Sequence, residues 1–269
     1  GLYYGVISTS TNHNCSGKIG LGNRLYHCWK NNGHGLMNVD GAIKESCDVF
    51  FYEISKKIGI DRIASVAKDF GLGKIYQLPL TNQKVGIIPS KDWKKEKLGE
   101  SWYPGETLIS AIGQGFVLAN PLQLANMTSI IASDGRIVEP KLIKDGKSSN
   151  FNYLDKYKSA IKIVKKSMFK VVNEPKGTAF KSRSENIKFS GKTGTSQVRR
   201  ITVAERESDD FRKKEIEWNK KDHALFVGYM PHDKPKYSIS VVIEHGGSGA
   251  STAAPLAQKV FQYINKSNI

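Results

Sequence analysis

The sequence predicts an α+β fold in which an antiparallel sheet is flanked by helices. Apolar residues recur at helical spacing through most of residues 39–172. Strand-like segments follow at 187–198, 224–230 and 237–244, and a short proline-containing connection between the last two is typical of an antiparallel hairpin. An amphipathic segment at 253–264 then predicts a closing helix.

Composition and charge narrow the class of protein. The 269 residues include 41 Lys and Arg against 25 Asp and Glu, which gives a net charge of +16. A hydrophobic fraction of 39% excludes a disordered chain, and no run reaches the ~20 apolar residues of a membrane span. The positive charge favours an acidic partner, such as nucleic acid, an anionic wall or lipid, or a carboxylate substrate, without choosing among them.

The first part of the chain combines turns with predicted helices. Residues 1–38 are rich in Gly and Asn, and we expect them to form loops and short strands. A helix is expected over 39–58 with Asp40 as its N-cap, and a second over 60–70 with Asp61 as its N-cap. Each is followed by a glycine, which is common at helix C-termini.

The middle of the chain has two further predicted helices. Asn120-Pro121 predicts a helix start, because proline is favoured at the first helical position. Residues 158–172 form an amphipathic helical pattern. Residues 72–106 and 143–157 are expected to be mainly loop, and the highly charged residues 199–221 a solvated excursion between strands.

All three cysteines lie near the start of the chain, in the pattern Cys15-x12-Cys28-x5-His34-x12-Cys47. Three thiolates and one imidazole are a ligand set of closed structural zinc sites. The surrounding turns offer few core residues, so a metal would stabilise a segment that packs poorly. The residues alone leave zinc open against one disulfide plus a free thiol, or three small buried cysteines. The rival imidazole ligands are His13 and His27.

A second group of candidate residues lies in the first predicted strand, Gly191-Lys192-Thr193-Gly194-Thr195. Lys192 supplies charge, Thr193 and Thr195 supply hydroxyl donors, and Gly194 lets a substrate backbone approach closely. These features suit the binding of a carboxylate. An ordinary edge strand with a surface lysine would look the same, so the segment by itself does not establish a site.

Together with other segments, this strand resembles the motifs of class B penicillin-binding proteins. Ser46-Cys47-Asp48 precedes Lys192-Thr193-Gly194, in the order in which a Ser-x-Asn-type element and Lys-Thr-Gly occur in penicillin-binding proteins and serine β-lactamases. Three further segments resemble family motifs: Gly113-Gln114-Gly115 with Asn120-Pro121-Leu122-Gln123, Lys176-Gly177-Thr178-Ala179, and His245-Gly246-Gly247. The resemblance covers nearly the whole chain, and Cys28-Trp29-Lys30 makes it strongest to the elongation-specific branch.

The resemblance implies the transpeptidase and serine β-lactamase-like fold and the activity of a serine-type peptidoglycan D,D-transpeptidase. Such an enzyme cross-links stem peptides that end in D-Ala-D-Ala through an acyl-enzyme, and β-lactams trap it. Ser46 is then expected to relay a proton to the leaving group, Asp48 to orient a lysine or the substrate amide, and Lys192 to steady charge near the relay. Thr193 and Thr195 are expected to bind the substrate carboxylate, and the Thr195 N–H to form half of the oxyanion hole.

The same resemblance implies a structural Zn²⁺. In the elongation-specific branch a zinc site occupies positions that match Cys28, His34 and Cys47, and Cys15 is the expected fourth ligand. Because Cys47 is the middle residue of the Ser-x-Asp element, we expect bound zinc to fix the turn that carries this element.

The family's attacking serine belongs to a Ser-x-x-Lys ahead of the Ser-x-Asp element, and no such motif precedes Ser46. Later matches begin at Ser65, Ser159 and Ser167, in the wrong order and on predicted helix surfaces. The chain also opens at Gly1 without a signal sequence. We therefore expect a truncated transpeptidase domain that lacks its nucleophile, a pedestal domain and a membrane anchor, and that is inactive by itself.

Within this partial domain we expect three parts. Residues 1–50 form the zinc segment that leads to the Ser-x-Asp element, 51–180 the mainly helical part, and 181–269 the strands with Lys-Thr-Gly and the closing helix. The full-length protein is expected to be anchored in a bacterial inner membrane, with this domain in the periplasm. Its expected partners are stem peptides, β-lactams and, through the missing regions, membrane proteins of the elongation machinery.

Two other functions fit parts of the sequence. A non-catalytic domain of the same fold could sense β-lactams or muropeptides. A basic zinc-containing nucleic-acid-binding module would explain the charge and the cysteines, but it leaves the Lys-Thr-Gly strand unexplained. Nucleic acid is not an expected partner, because the basic residues are scattered along the chain.

Overall fold

Helices and an antiparallel sheet make up the described part of the molecule, which comprises residues 1–143, 151–199, 205 and 216–267 of a computed structural model. This architecture confirms the predicted α+β class. None of the described helices is long and apolar enough to cross a membrane.

Four short strands occupy the predicted loop-and-strand start, which agrees with expectation. They are β1 (His13–Cys15), β2 (Lys18–Leu21), β3 (Arg24–His27) and β4 (Gly35–Met37). β1 pairs with β4 and β2 pairs with β3, both antiparallel. Gly33, just before β4, approaches β1 so closely that a Cβ atom there would lie 2.0 Å from the Cys15 carbonyl oxygen. The close approach brings Cys15 beside the segment that carries His34.

The helix predicted over 39–58 is two helices, α1 (Val39–Glu45) and α2 (Asp48–Ile58), so the prediction of one helix was wrong. Between them, Ser46 has left-handed backbone angles, with φ 56° and ψ 52°. The N–H groups of Ser46 and Cys47 donate to carbonyl oxygens of α1 and close that helix. The break is short and leaves the apolar spacing on both sides intact, so periodicity could not reveal it.

Both predicted N-caps were also wrong. Asn38 caps α1, and Asp40 lies in the first turn. The next helix, α3 (Ile60–Asp69), has Gly59 at its N-cap position and Asp61 in its first turn. An aspartate in the first turn stabilises a helix through the helix dipole, so its presence locates the helix start only to within a residue or two.

α4 (Lys91–Leu98) lies in the stretch that was expected to be mainly loop, and α5 (Pro104–Ala111) begins at the end of that stretch. Ser90 caps α4, with its hydroxyl accepting a bond from the Trp93 N–H. α4 is almost entirely polar, so it lacks the apolar periodicity by which a helix is recognised. The predicted helices that follow are confirmed as α6 (Pro121–Ala132) and α7 (Lys158–Asn173).

The largest sheet of the described residues has three antiparallel strands in the order β5-β6-β7. They are β5 (Ser190–Ser196), β6 (His223–Met230) and β7 (Tyr237–Ile243). The predicted β6–β7 hairpin is confirmed, and β5 is shorter than predicted at both ends. A π-helical turn leads into the predicted closing helix, α8 (Ala254–Lys266). Phe189, Phe226 and Phe261 form a fully buried core between the sheet and α8.

Two of the predicted loops fall partly outside the described residues. The part that the structure describes does not include 200–204 and 206–215 of the charged loop, or 144–150 of the other loop. Their described parts include short 3₁₀ turns at Asp155–Tyr157 and Trp218–Lys220.

α7 joins the helical part to the sheet, because it packs against both α1 and β5. On the α1 side, Ser167 and Lys170 both bind the Asp40 carboxylate. On the sheet side, Val171 and Val172 are fully buried in the core with the strands. The Ser-x-x-Lys at Ser167 is therefore a structural contact, and α7 sets the distance between α1 and β5.

Candidate active site

Ser46 and Lys192 are 146 positions apart in the chain and meet between α1 and β5. The Lys192 Nζ donates to the Ser46 Oγ over 2.8 Å and to the Thr193 carbonyl oxygen over 2.9 Å. Ser46 is a non-glycine residue with positive φ, a conformation that costs free energy and concentrates at functional sites. The fold therefore assembles a hydroxyl and an ammonium group, both of them predicted site residues.

The Lys192 ammonium lies in a buried environment that partly destabilises its positive charge. Burial lowers the pKa of Lys192 to about 8, and the nearby Asp48 carboxylate offsets part of that effect. A lysine with a pKa this close to neutral can hold and release a proton under working conditions. Its bond to Ser46 makes the serine hydroxyl the first group on a proton path from Lys192.

Thr193 is held by Thr178, which was not among the predicted site residues. The hydroxyl oxygens of the two threonines are 2.7 Å apart. The Thr178 N–H donates to the Lys44 carbonyl oxygen of α1 over 3.2 Å. Thr178 therefore connects the helix that precedes Ser46 to the strand that carries Lys192. The signal in the sequence was its place in the Lys176-Gly177-Thr178-Ala179 segment.

Thr195 lies at the exposed end of β5, close to the turn that leads into α8. Its Oγ1 accepts a bond from the Gly249 N–H over 3.4 Å, and its carbonyl oxygen accepts a bond from the Gln114 Nε2 over 2.9 Å. Gly249 approaches β5 so closely that a Cβ atom there would lie 2.2 Å from the Gly194 carbonyl oxygen. Gln114 was also missed as a site residue, although its Gly-Gln-Gly segment was noticed.

Asp48 contacts the cysteine-rich segment. Its Oδ2 accepts a bond from the Trp29 N–H over 2.9 Å, and the Trp29 indole N–H donates to the Glu45 carbonyl oxygen over 3.0 Å. Trp29 thus binds the residues on both sides of the Ser46-Cys47 turn. Burial raises the pKa of Asp48 to about 7, and the bond from the Trp29 N–H lowers it in part. The structure places Asp48 where it fixes the turn.

The predicted metal ligands converge behind this turn. The ligand atoms of Cys15, Cys28, His34 and Cys47 all lie within 4.8 Å of one another, and the three cysteines are buried and free. The His34 Nδ1 is 3.6 Å from the Cys15 Sγ and 3.5 Å from the Cys28 Sγ. The hydrogen bond with Cys47 lowers the pKa of Cys28 and raises that of Cys47. Three sulfurs and one nitrogen at this spacing fit a tetrahedral zinc ion.

Neither rival histidine joins this cluster. The His13 ring packs edge-on against Phe50, with ring centroids 5.6 Å apart. His27 is not among the residues whose ligand atoms converge at the cluster. The four-residue set with Cys15 is therefore the one that the described geometry supports.

An apolar cavity of about 290 Å³ lies elsewhere in the molecule, between the first residues and α3, α6 and α7. Its lining is hydrophobic and includes Leu2, Tyr3, Ile63, Phe70, Tyr157 and Ile161. None of the predicted site residues lines it. Because it offers few directional polar groups, the candidate active site is the one between Ser46 and Lys192.

Comparison with known proteins agrees with this assignment. Residues 1–262 match the model of the penicillin binding protein transpeptidase domain. The peptidoglycan D,D-transpeptidase MrdA of Haemophilus influenzae is 35% identical over 254 residues, which cover 89% of this chain and 38% of that protein. MrdA of Acinetobacter baumannii is 34% identical over 279 residues, covering 98% of this chain and 40% of that protein. The chain thus spans about 40% of the length of these relatives.

Solved structures give the same result. Penicillin-binding protein 2 of Helicobacter pylori, in a complex with MreC, is 30% identical with a TM-score of 0.85, and the match covers 97% of this chain and 46% of that one. Penicillin-binding protein 2 of Pseudomonas aeruginosa, in complex with WCK 5153, is 32% identical with a TM-score of 0.83, covering 97% of this chain and 57% of that one. The resemblance inferred from the motifs is confirmed.

Proposed function

The chain belongs to the penicillin-binding protein transpeptidase family, and we propose that it supplies the proton relay and the substrate-binding strand of a peptidoglycan D,D-transpeptidase. The observation that carries the proposal is the 2.8 Å hydrogen bond between the Lys192 Nζ and the Ser46 Oγ, beside a strand edge with two threonine hydroxyls. The proposed substrates are stem peptides that end in D-Ala-D-Ala, and the proposed inhibitors are β-lactams, which resemble that dipeptide.

The proposed reaction begins with acylation. A serine oxygen attacks the carbonyl carbon between the two D-Ala residues, the peptide C–N bond breaks, and the terminal D-Ala leaves. The amine of a second stem peptide then attacks the acyl-enzyme and forms the cross-link. The sequence has no Ser-x-x-Lys ahead of Ser46, so the attacking serine of this reaction is not one of its residues.

The residues of this chain serve the proton transfers and bind the substrate. The leaving amine needs a proton, and the Ser46 hydroxyl donates it while accepting a replacement from Lys192. The same path in reverse takes a proton from the amine of the second peptide. The hydroxyls of Thr193 and Thr195 donate to the terminal carboxylate. The Thr195 N–H stabilises the oxyanion of the tetrahedral intermediate, an effect worth about 3 kcal/mol.

For the cysteine-rich segment we propose a structural Zn²⁺ held by Cys15, Cys28, His34 and Cys47. The support is the convergence of the four ligand atoms within 4.8 Å and the burial of the free thiols. The ion would supply the positive charge that keeps the thiolates ionised and would tie β1 to the start of α2. Thiols in an oxidising compartment tend to form disulfides, so bound metal would also protect them.

We also propose a periplasmic location for this domain, with attachment of the complete protein to a bacterial inner membrane. The proposed partners are membrane proteins of the elongation machinery. The support is the similar Helicobacter pylori protein, whose structure is a complex with MreC. Co-purification with the organism's own MreC-type protein would test the partner directly.

Covalent labelling by a fluorescent penicillin tests the proposed enzyme, in protein that carries its Ser-x-x-Lys segment. Ser46→Ala and Lys192→Ala are expected to slow acylation by about 10²- to 10³-fold, the usual worth of positioned acid–base groups. The matched control is Ser65→Ala with Lys68→Ala, an exposed Ser-x-x-Lys pair on α3, which should acylate at the wild-type rate. Wild-type acylation by Lys192→Ala would reject the relay, and an unlabelled wild type would reject the enzyme.

A further inference from the structure

The side chain of Gln114 occupies a main-chain acceptor in the candidate active site. Its Nε2 donates to the Thr195 carbonyl oxygen over 2.9 Å, across 81 positions of chain. Gln114 lies in the turn after α5, between Gly113 with φ 75° and Gly115 with φ 71°. A left-handed backbone on both sides of Gln114 favours glycine at both positions. The turn places the glutamine side chain against β5.

The acceptor that Gln114 occupies is on the free edge of β5. The strand pairs with β6 along its other edge, where Thr195 lies opposite Ala224. In an antiparallel strand the N–H and C=O of one residue point to the same side. The Thr195 N–H therefore lies on the same free edge as the carbonyl oxygen that Gln114 binds. An extended peptide that added to this edge would use both groups.

The turn that carries Gln114 is anchored firmly. The Gln114 N–H donates to the Ile109 carbonyl oxygen of α5 over 3.1 Å. Near the start of α5, the fully buried Lys94 ammonium binds the carboxylates of Glu106 and Glu100. The indole N–H of Trp102 donates to the Thr107 hydroxyl over 2.8 Å. With its base fixed in this way, the glutamine can leave Thr195 by rotation of its own side chain.

We propose that Gln114 is a displaceable substitute for the substrate's backbone amide, and that it determines specificity. This inference rests on the proposed function. In the site without substrate, the Gln114 side-chain amide donates to the Thr195 carbonyl oxygen. A peptide or β-lactam whose own amide N–H binds that carbonyl must first displace the glutamine, and one without that N–H leaves the glutamine in place. The residue thus reduces the advantage of acyl donors that carry a backbone-like amide next to the attacked carbonyl.

The test compares acylation by a penicillin with a side-chain amide N–H and by the same penicillin methylated on that nitrogen, in protein with its Ser-x-x-Lys segment. Gln114→Ala is expected to raise the rate constant for the N–H compound about fivefold, the worth of one hydrogen bond, and to leave that for the methylated compound unchanged. Gln114→Glu should act alike, because a carboxylate cannot donate to a carbonyl oxygen. The exposed Gln77→Ala is the matched control and should change neither rate.

The outcomes separate the two proposals. An equal change in both rate constants would mean that Gln114 only positions β5, and would overturn the specificity role while leaving the enzyme intact. Unchanged rates in Gln114→Ala and Gln114→Glu would also overturn it. If neither compound acylates the wild type, the proposed function fails, and the role of Gln114 fails with it.

Discussion

The two halves of the proposed site are held by different kinds of structure. Lys192, Thr193 and Thr195 lie on β5, whose seven residues all pair with β6 and which has a buried aromatic core behind it. Ser46 lies on a short turn between two helices. Trp29 binds that turn through two hydrogen bonds, and the cysteine cluster adjoins it through Cys47.

The two halves therefore show two ways to position a site residue, by packing against an apolar core and by polar contacts. A strand with a core behind it keeps its place through many small apolar contacts, which no single substitution on the surface removes. The turn at Ser46 is bound by two hydrogen bonds from Trp29 and, in our proposal, by one metal ion. The turn should therefore respond to metal and to Trp29, and the strand should not.

Removal of the metal should have the largest effect and should be confined to the turn half. Cys47→Ser, or chelation of the wild type, is expected to lower the free energy of unfolding by at least about 3 kcal/mol. Zinc content, thermal unfolding and amide hydrogen exchange check this. We expect faster exchange in residues 13–48 and unchanged exchange in β5. The neighbouring exposed Ser16→Ala is the control, and zinc-free protein with wild-type stability would contradict the prediction.

A substitution on the buried side of β5 should destabilise the strand half of the site without loss of the proposed zinc ion. At Gly191 an added Cβ atom would lie 2.1 Å from the Phe226 ring, whereas at Gly194 its nearest neighbour would be 3.3 Å away. Gly191→Ala is expected to cost about 1–3 kcal/mol, and Gly194→Ala much less. Urea unfolding measures both. Equal losses in the two variants, or loss of zinc from Gly191→Ala, would mean that the halves are not independent.

The charge of Lys192 should make the stability of the strand half depend on pH. Burial lowers its pKa to about 8, so below that pH the folded protein holds a buried ammonium at a cost. As the pH rises through 8, the folded protein releases the proton while the unfolded chain keeps it, and the wild type gains stability. Lys192→Met should therefore be relatively more stable at neutral pH, with an advantage that shrinks above pH 8. Urea unfolding across about pH 6 to 9 tests this, and a constant difference would refute it.

The smallest expected effect follows from removing the hydrogen bond between the Trp29 indole and the Glu45 carbonyl oxygen, which closes the turn. Trp29→Phe removes the indole donor to the Glu45 carbonyl oxygen but keeps the ring and the backbone bond to Asp48. We expect a loss of about 1 kcal/mol in the free energy of unfolding and, in protein that carries its Ser-x-x-Lys segment, slower penicillin acylation. Trp218→Phe, at another exposed tryptophan, is the control. Full acylation activity in Trp29→Phe would show that the cysteine cluster positions the turn without this bond.

Much of the site could be predicted from the sequence, and particular residues show where prediction ended. The Lys-Thr-Gly strand and the cysteine pattern were recognisable because each is a local arrangement of residue types. Thr178 and Gln114 were visible only as parts of resembling segments, since their roles depend on partners 15 and 81 positions away. α4 was missed because a polar helix carries no apolar period.

By itself, the sequence determined the fold class, the family and the order of the motifs. Alternation in the strands, helix starts and motif residues are all properties of neighbouring positions. Only the tertiary structure decided that α1 ends at Ser46, that Lys192 reaches it, and that Trp29 binds both sides of the turn. These contacts join residues far apart in the chain, and their distances are set by how α7 packs against α1 and β5. Packing of that kind follows from the volumes and burial of many side chains together, which no local pattern records.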